Sequence, residues 1–103
     1  MAQTQITRRE SYEATLEGLG LRQKAVYAVV EANTTMGGAT AWEIAEFLRL
    51  EVYVVRPRLT ELQSLGVIES RGTRYHAGTD RKEAVWFLQK EQPKFDGDQG
   101  VLL

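Results

Sequence analysis

Between Thr40 and Gly66 the chain reads TAWEIAEFLRLEVYVVRPRLTELQSLG, a stretch whose caps and spacing fit two short helices sharing one core. Thr40 is placed to cap the first helix, because Glu43 stands three residues on and completes a capping box. Ala41, Ile44, Ala45 and Leu48 then fall at i, i+3, i+4 and i+7, a single apolar stripe. Arg49, Leu50 and Glu51 make the turn, with Leu50 entering the core. The second helix carries Val52, Val55, Leu59 and Leu62 at spacings of three, four and three, and Gly66 ends it as a C′ glycine. A proline deep in a helix costs about 3 kcal/mol. Pro57 therefore predicts a helix start at Val52 to Val54, so that the proline falls in the first turn and no internal donor is lost.

The rest of the chain fits around that pair. Thr7 with Glu10 is a second capping pattern, and Tyr12, Leu16 and Leu19 offer a thin apolar face, predicting a helix over Arg8 to Glu17 that docks on the core or on a second chain. A further helix is expected over Leu21 to Asn33, with Leu21, Ala25, Val26, Val29 and Val30 buried. Asn33 to Gly38 breaks it, and Ala39 adds a very short strand before the Thr40 cap. After Gly66 the pattern changes. Val67–Ser70 and Ala84–Leu88 are β-branched and aromatic and read as two strands, joined by a long polar loop from Arg71 to Glu83.

Two helices joined by a short turn form a helix-turn-helix, whose second helix commonly enters the DNA major groove. Three helices followed by a hairpin make a winged helix. The expected class is thus α+β, mostly α: a winged helix-turn-helix at residues 21–89, an N-terminal arm and helix at 1–20, and an extended tail at 90–103. With 103 residues, a single domain is expected. No apolar run approaches 18 residues, the polar start is no signal peptide, and zero cysteines suit the cytoplasm.

The run from Val55 to Leu62, with Gly66-Val67-Ile68, Gly72-Thr73-Arg74 and Thr79 to Trp86, is similar to small phage and prophage winged-helix proteins. Ser11–Ala14 and Arg22–Tyr27 fit the same pattern, so the resemblance spans roughly Thr4 to Leu88. This resemblance, and the wider class that includes MarR-like regulators, implies binding of double-stranded DNA, frequently as a homodimer. One departure is Thr79-Asp80-Arg81, where such wings often carry Thr-Gly-Arg; an acid at the wing tip weakens a phosphate contact there.

Net charge is −1, but its distribution is uneven. Arg49 to Lys82 holds seven basic residues against four acidic ones, a net +3, while the remainder holds six against ten, a net −4. At about 100° per residue, Tyr53, Pro57, Thr60 and Ser64 lie opposite the buried stripe of the second helix. Arg56 and Arg58 flank them, about 200° apart, suited to phosphates on opposite groove walls. The alternative is that both arginines solvate the helix flanks, pairing with Glu51 or Glu61. Arg49 in the turn and Arg71, Arg74, Arg81 and Lys82 in the wing complete the candidate DNA-binding set, against the alternative of a loop that is basic only for solubility. His76 is expected to face solvent, Trp86 to pack in the hairpin, and Trp42 to cover either a domain edge or a protein partner. The competing reading, a protein-interaction module, rests on the near-neutral charge, the acidic Asp80 in the wing and the apolar end Val101-Leu102-Leu103.

No catalytic apparatus is expected. One histidine and no cysteine exclude a thiol nucleophile and a typical Cys/His zinc site. Gly37-Gly38 lacks the lysine of a phosphate-binding loop, and no cofactor is expected.

Overall fold

A computed structural model describes residues 8–89, an α+β arrangement of four helices and a three-stranded antiparallel sheet. Helix α1 spans Arg8–Glu17, α2 Leu21–Asn33, α3 Ala41–Leu48 and α4 Val52–Ser64. A single 3₁₀ turn, Thr34–Met36, follows α2, and β1 is Ala39–Thr40. The hairpin consists of β2, Ile68–His76, and β3, Arg81–Leu88, and β3 is the central strand of the order β1-β3-β2. Thr7, read as the cap of α1, and the tail from 90 to 103 lie outside the described residues.

The core forms where the helical stripes converge. Val26 and Val30 of α2, Ile44 of α3, and Val55, Leu59 and Leu62 of α4 are each at most 2% exposed, joined by Val67 and Ile68 where the chain enters β2. Burial of each such side chain contributes about 1.5–3 kcal/mol. Leu48, Leu50 and Val52 pack against this core at its edge, so the turn between α3 and α4 is anchored by Leu50 as its position predicts. Helix α1 docks on the chain's own core through Tyr12, Leu16 and the buried Leu19. The Tyr12 and Tyr27 hydroxyls meet at 2.8 Å. Burial, then the bond to Tyr12, pushes the Tyr27 phenol well above its ordinary pKa.

The α3 and α4 ends follow from local chemistry. Thr40 Oγ1 accepts the Glu43 N–H at 3.2 Å, and Glu43 Oε1 accepts the Thr40 N–H at 3.0 Å, closing the capping box. At the far end of α4, Gly66 at φ +80° lets its N–H reach Gln63 O and the Val67 N–H reach Leu62 O, satisfying two terminal carbonyls.

Four expectations change. Leu21 is 88% exposed rather than buried, because it opens α2 one turn before the core begins, and Tyr27 takes the inward place instead. Helix α4 starts at Val52, within the expected Val52 to Val54, but Pro57 is then its sixth residue and lies past the first turn. Its missing N–H leaves the Tyr53 carbonyl without its regular helical donor. The segment 71–83 is mostly strand: both strands continue to a four-residue turn at 77–80, with one face in solvent and the other half-buried behind polar residues. His76 ends β2 half-buried, stacked on Trp42 with ring centroids 4.8 Å apart.

The hairpin is bent by a bulge and held close by a glycine. Ser70 pairs with Trp86 and Thr73 with Ala84, so Arg71 and Gly72 stand opposite Val85 alone. Gly38, at φ +75°, approaches the sheet so closely that a Cβ would lie 2.6 Å from the side chains of Phe87 and Val85. Gly66 also needs a positive φ but has nothing within 4 Å of where a Cβ would lie. Gly38→Ala is therefore expected to cost about 2–4 kcal/mol, from left-handed backbone plus overpacking, and Gly66→Ala only about 1–2 kcal/mol. Urea unfolding of the two variants checks the difference; equal losses would contradict the close approach at Gly38.

Candidate nucleic-acid interface

Helix α4 turns Val55, Leu59 and Leu62 inward and leaves its opposite side in solvent. Tyr53 is 70% exposed, and Pro57, Thr60, Gln63 and Ser64 are also exposed. That outer face carries no ionised group of its own; the charges sit on its edges. Thr60 Oγ1 donates to Arg56 O at 3.3 Å, so its hydroxyl is held against the helix backbone.

The two arginines do occupy opposite flanks, and each meets a carboxylate. Arg56 Nη2 donates to Glu83 Oε1 at 3.0 Å, reaching from α4 to β3. Arg58 donates from Nε and Nη2 to both oxygens of Glu61, each at 2.7 Å. Glu61 is further bound by Gln23 Nε2 at 2.9 Å, so that flank is tied to the start of α2, where Gln23 Oε1 also accepts the Gly20 N–H. One flank of α4 is thus fastened to the hairpin and the other to α2. Pairing with Glu61 is one of the contacts expected of these arginines; the Arg56–Glu83 pair is not, because 27 residues separate its members and only the β3 register brings them together.

On the hairpin the basic residues divide. Arg74 is bound to both Glu43 oxygens, within 2.7 Å, and to Gly37 O at 2.6 Å, which commits it to joining β2 to the start of α3. Arg71 pairs with Glu69 at 2.6 Å and lies 4.2 Å over the Phe87 ring. Arg81 and Lys82, near the hairpin turn, and Arg49, between α3 and α4, are exposed and form no ion pair among the described residues. The Asp80 carboxylate accepts the Tyr75 hydroxyl at 2.6 Å and so is engaged within the turn.

Between α4 and the hairpin lies a groove of about 200 Å³, bounded by Arg56, Thr60, Glu83 and Trp86 above Ala41 and Leu59. A second, of about 390 Å³, lies beside α3, with Met36 and Phe47 at its margins, 70% and 74% exposed. No group of acidic or histidine side chains suited to a metal ion occurs among the described residues, and no helix there is long and apolar enough to cross a membrane. The chain matches no protein-family profile, and no curated protein shows significant similarity to it.

The arginine contacts set a pH dependence. The hydrogen bond from Arg56 holds the Glu83 carboxyl below its ordinary value of 4.5, and Arg58 then Gln23 do the same for Glu61. A depressed folded-state pKa means that the stabilisation is in full force above 4.5 and is lost as pH falls through the lower folded value. Because Arg56 is half exposed, Glu83→Gln should cost no more than about 1 kcal/mol near neutrality. The variant should also lose less stability than the native chain on acidification from about pH 6 to about pH 3. Urea midpoints along that series check it; parallel losses would contradict a native pair.

Proposed function

We propose that the chain is a winged helix-turn-helix that binds double-stranded DNA sequence-specifically, as a small phage-type transcriptional regulator in the cytoplasm. The observation that carries this is the outer face of α4: exposed, uncharged and polar, with an arginine braced on each edge. In this reading α4 enters the major groove, Tyr53, Pro57, Thr60 and Ser64 approach base edges, and Arg56 and Arg58 meet phosphates on the two walls.

Existing ion pairs do not exhaust the arginines. A guanidinium has five N–H donors; Arg58 gives two to Glu61 and Arg56 one to Glu83, leaving the rest for a phosphate. The carboxylates orient the guanidinium groups but cancel their charge at a distance. Long-range attraction then falls to the cations without a carboxylate partner, including Arg81 and Lys82 on the wing. Such a binder depends on close fit more than on field, which agrees with a net charge of −1.

A homodimer belongs to the same proposal, since a two-fold axis would set two α4 helices on half-sites about 34–36 Å apart. Exposed Leu21 and Leu65 lie at the start of α2 and the end of α4, near the Gln23–Glu61 bond, and supply apolar surface for it. Light scattering at tens of micromolar is expected to give about twice the chain mass, and a monomer mass would reject the dimer. A second reading, protein contact, is favoured by exposed Met36 and Phe47 beside their groove, which shares no lining residue with α4.

Salt-titrated binding to duplex DNA tests the main reading. Each phosphate contact steepens the fall of log affinity with log salt by about 0.9. Arg56→Ala, Arg58→Ala, Arg81→Ala and Lys82→Ala should each weaken binding and flatten the slope by about that amount. Tyr53→Ala should change discrimination among sequences while leaving the slope unaltered. Unchanged slopes in all four cation variants would reject α4 and the wing as the DNA surface.

A further inference from the structure

Six residues of the described chain have positive φ, and four of them are glycines: Gly37, Gly38, Gly66 and Gly72. The other two are Asp80 at +56° and Arg49 at +59°. A Cβ crowds the backbone in this region, so a residue other than glycine lowers stability there unless its side chain offsets the strain. Asp80 has such an offset. Its short side chain accepts the Tyr75 hydroxyl at 2.6 Å, and its N–H bonds to His76 O at 2.8 Å to close the turn.

Arg49 has none. Its conformation is dictated by the end of α3: its own N–H reaches Ala45 O and Glu46 O, and the Leu50 N–H reaches Ala45 O at 2.9 Å. That geometry seats Leu50 against the core. Every one of these bonds is made by backbone atoms, so a glycine would make them all with less strain, as Gly66 does at the end of α4. The Arg49 side chain is exposed and has no hydrogen bond or ion pair among the described residues. Neither the fold of the turn nor any internal contact accounts for an arginine there.

We infer that Arg49 is a phosphate-gripping residue, held in a strained backbone conformation at the expense of stability so that a cation stands immediately before α4. The inference rests on the reading of α4 as the DNA-binding helix, and it adds that the α3–α4 turn trades stability for binding. Position supports a phosphate as the partner: only Leu50 and Glu51 separate Arg49 from the first residue of α4. A phosphodiester would also give the Arg49 guanidinium the anionic partner that it lacks among the described residues.

The test compares the full chain with Arg49→Gly and Arg49→Lys, measuring thermal unfolding and the anisotropy of a fluorescent mixed-sequence duplex across a salt series. Arg49→Gly should raise the unfolding midpoint by about 4–8 °C, weaken duplex binding severalfold, and flatten the salt slope by about 0.9. Arg49→Lys keeps both Cβ and charge, so its midpoint and slope should stay near those of the native chain. If the native chain binds duplex and Arg49→Gly binds with the same affinity and slope, the role of Arg49 is overturned while the DNA reading stands. The same holds if Arg49→Gly is not stabilised, because then no strain is being carried. If the native chain binds no duplex even at low salt, both fall together; capture of a protein partner lost only in Arg49→Gly would then assign the residue to a partner's carboxylate.

Discussion

Thr40 belongs to two structures at once, and the relation between the helices and the sheet depends on it. It is the second residue of β1, in register with Val85 of β3, and it is also the N-cap of α3. At 2% exposure it is the one buried polar residue among those described, so its hydroxyl must be satisfied internally, and the Glu43 N–H does so. Glu43 then extends the link, since the carboxylate that closes the capping box also binds Arg74 of β2, and Arg74 binds Gly37 O. Strand, helix start and hairpin are therefore joined by one short chain of polar contacts beside an apolar core.

The direction of α4 follows from that arrangement. Once α3 is fixed on the sheet, the turn through Arg49, Leu50 and Glu51 sets where α4 begins, and Val55, Leu59 and Leu62 settle which side faces inward. The polar outer side is what remains. Its arginines are not loose surface charges: Arg56 reaches β3 and Arg58 reaches Glu61, itself bound by α2. Such exposed pairs contribute little to stability. Their larger effect is positional, because they hold two guanidinium groups at fixed places on either edge of one face.

Local signals in the sequence carried far. The Thr40–Glu43 box, the glycine after α4 and the apolar spacing locate three of the four helices, and the limits Arg8–Glu17 and Leu21–Asn33 agree with the polar and glycine breaks around them. The hairpin was less legible for a physical reason. Beyond Ser70 one face meets solvent and the other is half-buried behind Arg74, His76 and Glu83, so its residues are as polar as those of a loop and no apolar alternation marks them as strand. Leu21 misleads because periodicity cannot say where along a helix the core begins. Pro57 points to the observed start at Val52 but not to its own place, since it falls past the first turn and the Tyr53 carbonyl loses its regular donor. Long-range pairs leave no local trace: Arg56 with Glu83, Arg74 with Glu43 and Trp42 with His76 each require the folded register. The candidate cations were legible as a set; which of them are already neutralised was not.

The central claim is that the outer face of α4 is the surface that meets duplex DNA, and amide chemical-shift mapping addresses it residue by residue. On titration of a duplex into the isotope-labelled chain, the account predicts the largest shifts at residues 49–64 and at the hairpin end from 73 to 82. Little change is expected around Met36 and Phe47. Shifts confined to the Met36–Phe47 groove, or no shift at low salt, would contradict it.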